Sequence, residues 1–218
     1  MALAALVSLC VTRINFYTDS HKIAPTHADG FILRGMGQVR NLLRVTPWGL
    51  PQARILAQEI GDYKPSLRAL IRELFGENIA VRKRAADVAR RITDEDASRL
   101  HRYADELAGL LESLPVFVSH KQAEKQTRWH LALVVSRVAH TQAQRLRAAR
   151  IMSLLVEDNS NALRCAAMEG MATLALNEPS LLPDAEALVE QFLWNGTPAM
   201  KARARHMQKR LMKKYAER

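Results

Sequence analysis

Seven histidines, two cysteines and scattered carboxylates are the residues of this chain that could ligate a metal or carry a proton. A metal needs two or more of them within one helical turn or at a short Cys or His spacing, and the sequence has no H-x-x-x-H, H-E-x-x-H or C-x-x-C. His120, His130 and His140 recur every ten residues. On a helix that spacing turns a side chain through about 280° and lifts it about 15 Å, so they cannot converge on one ion. His21 and His27 stand outside any periodic segment. Cys10 and Cys165 are far apart, which fits neither a disulfide framework nor a thiolate site and suits a reducing compartment such as the cytoplasm. No Gly-rich phosphate loop, Walker sequence or G-x-S-x-G elbow occurs, so nucleotide and nucleophile chemistry lack their usual footing. On these grounds we expect no cofactor, no metal and no enzymatic activity.

What remains is charge. The formal +10 is uneven: residues 196–218 carry eight cations against Glu217, and residues 121–150 carry seven against Glu124. Between them, residues 157–195 carry seven carboxylates against Arg164. Concentrated basic faces can attract phosphates or acidic partners, or simply be solvated. Arg82, Arg128, Arg164 and Lys201 stand out because each follows the first residue of a recurring apolar template; Trp129 and Arg205 lie beside them. These six are the candidate partner-binding residues.

The elements that must position them are helical. With 218 residues, 48% hydrophobic and 25% charged, wholesale disorder is excluded and a polytopic membrane protein is not expected. Nine Gly, eight Pro and 6% aromatic residues lean toward helix and away from a β-sandwich. No apolar run reaches the roughly 18–20 residues that span a bilayer. The apolar stretch 1–11 has no cation before it and no small-x-small site after it, so it reads as a packing tail or as sequence ahead of an effective start at Met36 rather than a secretory signal. Residues 1–48 read as a weakly ordered leader, and residues 49–218 as one repeat domain.

Two short helices, 52–60 and 66–75, follow Pro51 and Pro65, whose missing N–H groups cost nothing in a first helical turn. Beyond them one template recurs at offsets 0, 4, 7 and 11: Val81, Ala85, Val88, Ile92; Thr127, Leu131, Val134, Val138; Leu163, Ala167, Gly170, Leu174; Met200, Ala204, Met207, Leu211. These are stripes of a 3.6-residue helix, separated by 46, 36 and 37 residues, the period of a helical-hairpin repeat. Each gap holds a second stripe: Leu100, Tyr103, Leu107, Leu110, Leu114; Ala148, Ile151, Met152, Leu155; Leu182, Ala185, Val189, Leu193. Capping residues at 93–96 and 158–161 and stop signals at Pro115 and Asn195-Gly196 bound them. The count is about nine helices after residue 50 in an all-α fold. No segment shows the period-2 alternation of a strand.

The segments VRKRAADVARRI at 81–92 and LRCAAMEGMATLAL at 163–176 resemble the first helix of HEAT repeats; TRWHLALVVSRV at 127–138 and TPAMKARARHMQKRL at 197–211 are looser copies. Trp129 and His130 replace the Lys83-Arg84 and Cys165-Ala166 of the closer copies, and the 46-residue spacing calls for a longer loop at 115–121. The resemblance covers about 50–218 and implies an armadillo-type right-handed α-solenoid. It further implies a non-enzymatic scaffold that binds another macromolecule, foremost a protein, on its extended surface. The alternative is nucleic-acid binding through the basic faces at 121–150 and 197–218. Some HEAT-like solenoids are DNA glycosylases that need an Asp framed by aromatic residues. Asp158 sits in a capping cluster, Asp184 in an acidic helix, and Trp48, Trp129 and Trp194 have no neighbouring Asp in their own helices, so that activity is not expected.

Overall fold

The computed structural model describes residues 36–45, 47–114 and 122–216, with the backbone alone for 36, 37, 122 and 123. The leader through residue 35 and the loop at 115–121 lie outside the described residues. Within them the chain is all helical: α1 Met36–Arg44, α2 Leu50–Gly61, α3 Lys64–Leu74, α4 Ile79–Glu95, α5 Ala104–Ser113, α6 Gln122–Val138, α7 Gln142–Leu155, α8 Asn161–Ala175, α9 Leu182–Asn195 and α10 Pro198–Ala216. Short 3-10 turns, Ala97–Tyr103 and Pro179–Leu181, lead into α5 and α9. Among the described residues there is no strand, and no helix is long and apolar enough to cross a membrane.

Helix starts follow the local chemistry. Asn78 accepts from the Ala80 and Val81 amides and caps α4, satisfying N–H groups that the first turn leaves without intrahelical partners. Thr141 and Gln144 form a reciprocal capping box on α7. Ser160 caps α8, while Asp158 accepts from the Ser160 amide and fixes the turn before it. Pro51, Pro65 and Pro183 occupy first-turn positions.

All sixteen template residues are buried. Burying each larger aliphatic side chain stabilises the fold by about 1.5–3 kcal/mol before entropy is counted. The helices bearing the four templates pack in series, α4 on α6, α6 on α8 and α8 on α10. Between them α5 lies against α6 and α7, α7 against α8, and α9 against α8 and α10. Small residues allow the close approach. A Cβ at Gly170 would lie 2.6 Å from Met152 Sδ and 3.2 Å from Ser136 Cβ. In the stripes of the second helices, Leu182 and Leu193 are only half-buried, whereas Ala185 and Val189 are buried.

One segment differs from expectation. Residues 36–44, placed in the leader on sequence grounds, form α1, with Val39 and Leu43 fully buried and Arg40 Nε 2.9 Å from Glu73 Oε1 on α3. The segment is two turns long, too short to display a period, and its order comes from packing on α3.

Candidate functional site

Three of the four template cations are engaged within the chain. Arg82 donates from Nε and Nη2 to the Gly76 carbonyl at 3.1 and 2.7 Å, tying α4 to the preceding turn. Arg164 does the same for α8, Nε to the Val156 carbonyl at 3.0 Å, with its guanidinium over the Phe192 ring. Arg128 is buried and pairs with Asp158 at 2.8 Å. Lys201 is half-buried at the start of α10, and Arg205 one turn on is exposed. Trp129 is half-buried with its ring against His130. Of the six candidates, Arg82, Arg128 and Arg164 are thus engaged within the chain, whereas Lys201 and Arg205 lie one turn apart on α10.

The segmental charges meet in three dimensions. The basic segment 121–150 and the acidic segment 157–195 lie on successive elements, so Arg128 pairs with Asp158, Arg137 with Glu169 at 3.6 Å and Arg145 with Glu178 at 3.3 Å. Arg137 also reaches Asp94 at 2.7 Å, and Arg203 approaches Glu169 at 3.2 Å. A row of alternating charge thus crosses the template helices: Asp94 on α4, Arg137 on α6, Glu169 on α8, Arg203 on α10. Burial pulls the Arg137 pKa below its ordinary value, and the two carboxylates oppose that pull. Arg147 holds Glu112 at 2.6 Å, which lowers the carboxyl pKa chiefly through that hydrogen bond. Among the described cations of 121–150, exposed Lys125 and Arg150 make no ion pair, whereas α10 presents Arg205, Lys209, Lys213 and Lys214 to solvent.

A groove lies beside them. It has a volume of about 660 Å³ between α9 and α10 and is lined by Glu186, Val189, Glu190, Leu193, Trp194, Gln208, Leu211 and Met212. Trp194 is 74% exposed and Met212 65% exposed, so the groove is flanked by two large apolar side chains in water. Of the three tryptophans, Trp48 lies under the Arg84 guanidinium and Trp129 packs on His130, leaving Trp194 as the outward one. Sequence reasoning missed this site. The available signal was that Trp194 and Met212 fall one residue past Leu193 and Leu211, off the buried stripes.

Among the described residues no group of three or more His, Cys, Asp or Glu is placed to hold a metal ion. His140 stacks on His101, ring centroids 4.7 Å apart, a contact that joins the α6–α7 turn to the 3-10 turn before α5. Burial, and then the neighbouring His140, lower the His101 pKa.

No family model and no curated protein matches the chain. Among solved structures it is similar to the crystal structure of an engineered protein from the Northeast Structural Genomics Consortium, at 15% identity and a TM-score of 0.51, covering 82% of this chain and 81% of that one. At that identity the likeness is one of helical fold alone.

Proposed function

We propose that the chain is a non-enzymatic scaffold of HEAT type, an α-solenoid of the cytoplasm that docks another protein at the α9–α10 end. Support for the solenoid is the serial packing of the four template helices with their stripes buried, because hairpins of this kind bury their apolar sides only against one another. The observation that carries the docking role is the solvent-exposed pair Trp194 and Met212 flanking the groove. Aromatic, Met and Arg side chains beside an apolar concavity are the usual anchors of protein interfaces.

The exposed cations of α10 favour nucleic acid as a second reading. It is the weaker of the two, since Arg128, Arg137, Arg145 and Arg147 of the other basic segment are paired within the chain. A photo-crosslinking residue at position 208 separates them. Protein docking predicts a discrete protein adduct that disappears in Trp194→Glu and is absent when the same residue is placed at exposed Glu157. Duplex DNA binding at about 50 mM salt, with a log–log salt slope near −5 for about six phosphates, would instead establish the nucleic-acid reading.

A further inference from the structure

The outward face of α10 carries charge of one sign. Between Pro198 and Ala216 the helix has no Asp or Glu. Met200, Ala204, Met207 and Leu211 turn inward and are buried. At about 100° per residue the side opposite them holds Arg205, Lys209 and Lys213, and all three are exposed. None of the three forms an ion pair with a described residue, in contrast to Arg203 on the flank, which reaches Glu169 at 3.2 Å. Spaced four apart, each stands one turn beyond the last, about 6 Å along the axis. Like charges at that spacing repel and weaken a helix. Nothing among the described residues relieves the repulsion, so the stripe costs the fold stability and returns none.

The stripe is also narrow. Helix α9 packs beside α10, and its Glu186 and Glu190 are exposed along the groove that separates the two. A duplex laid along α10 overhangs α9 and sets phosphates against those carboxylates. A single helix does not, being about as wide as α10 itself. We propose that the outward face of α10 receives an acidic helix of another protein, with a carboxylate at every fourth residue in register with Arg205, Lys209 and Lys213. Two helices lying side by side share one pitch, so each carboxylate meets one cation, and charge complementarity fixes the register. The inference rests on the protein-docking reading of this end and names the partner's chemistry.

Fluorescence anisotropy of the full chain with a labelled Ala-rich peptide bearing Glu at every fourth position tests it. The peptide binds the wild type in a salt-sensitive way and binds Arg205→Glu/Lys209→Glu about tenfold or more weakly. The same reversals at Lys125 and Arg150, exposed cations of α6 and α7, leave binding within about twofold. An isomeric peptide with its Glu residues in one block binds more weakly than the spaced one. Folding does not confound the result: Lys209→Glu puts a carboxylate one turn from both Arg205 and Lys213, so it raises the melting temperature while weakening the peptide. Equal binding of the two peptides, or an equal loss in Lys125→Glu/Arg150→Glu, overturns the proposal. So does single-stranded or duplex DNA that displaces the spaced peptide from α10 at equal charge and salt, which assigns the face to nucleic acid. A residue-208 protein adduct that needs Trp194 but survives Arg205→Glu/Lys209→Glu overturns the acidic partner and leaves the docking reading standing. An adduct absent from the wild type removes both.

Discussion

Arg128 on α6 and Asp158 in the turn after α7 form an ion pair at 2.8 Å, with the two side chains only 6% and 8% exposed. Asp158 also accepts from the Ser160 amide at 2.7 Å, so one carboxylate ties α6 to the start of α8. Removing the guanidinium leaves the Asp158 carboxylate buried without this cation. Arg128→Met is expected to destabilise the fold by about 3–5 kcal/mol, and Asp158→Leu to destabilise it through loss of both the ion pair and the Ser160 amide bond, while the double variant costs less than the two single effects summed because the pair is then removed together. Urea unfolding of the four proteins, read as a double-mutant cycle, checks this; additive single effects would refute it.

Gly170 stands at the template position that holds Val88 and Val134 in the two preceding copies. The structure gives the reason: the space beside it is taken by Met152 Sδ and Ser136 Cβ. Gly170→Val, the residue that the repeat would suggest, is expected to cost about 1–3 kcal/mol by overpacking, although it improves helix propensity. Shortening the obstructing side chain with Met152→Ala should make the same substitution less costly. Thermal melts that rank Gly170→Val above the wild type would show the space to be open.

Template burial was legible because it is local: offsets of 4, 3 and 4 put Leu131, Val134 and Val138 on one side of any helix, and that side had to be covered. Helix α1 was illegible because two buried residues, Val39 and Leu43, make no period. The charge balance misled in a more instructive way. Read in one dimension, 121–150 looks like a free basic face, yet Arg128, Arg137 and Arg145 are met by carboxylates about 30 residues further on, which become neighbours only when the hairpins stack. The groove escaped notice for the same reason. Whether Leu193 and Trp194 face a neighbour or solvent depends on what lies beside α9, and the apolar spacing of α9 itself is the same in either case.

Glu169 sits between Arg137 and Arg203, 3.6 and 3.2 Å away, in the charge row that crosses four helices. Arg137 is largely buried and Arg203 half exposed. Arg137→Met should therefore cost on the order of 1.5–3 kcal/mol, whereas Arg203→Ala should cost less than about 1 kcal/mol because water screens it. Glu169→Lys, which sets three cations together, should exceed both. Chemical denaturation at low and high salt checks the order: salt narrows the gap for Arg203→Ala more than for Arg137→Met.

His130 is buried in α6 beside Asp87, Arg90, Arg91 and Lys83, and its Nδ1 has no hydrogen-bond partner among the described residues. Burial, with a smaller push from Arg90, Arg91 and Lys83, lowers its pKa to about 4; Asp87 opposes the shift without cancelling it. The unfolded imidazole titrates near 6.5. Between those two values the unfolded chain binds the proton that the folded chain refuses. The stability that comes from keeping His130 neutral is therefore fully present above about pH 6.5 and is lost as the pH falls toward 4, on the order of 3 kcal/mol across the window. His130→Gln cannot titrate and should flatten this part of the curve whatever its own stability at neutral pH. Melting temperatures of the two proteins between pH 7 and 4 decide the matter: a wild-type curve that falls relative to the His130→Gln curve toward low pH would mean that His130 stays neutral in the folded chain, and parallel curves would mean that it titrates alike in the folded and unfolded chain.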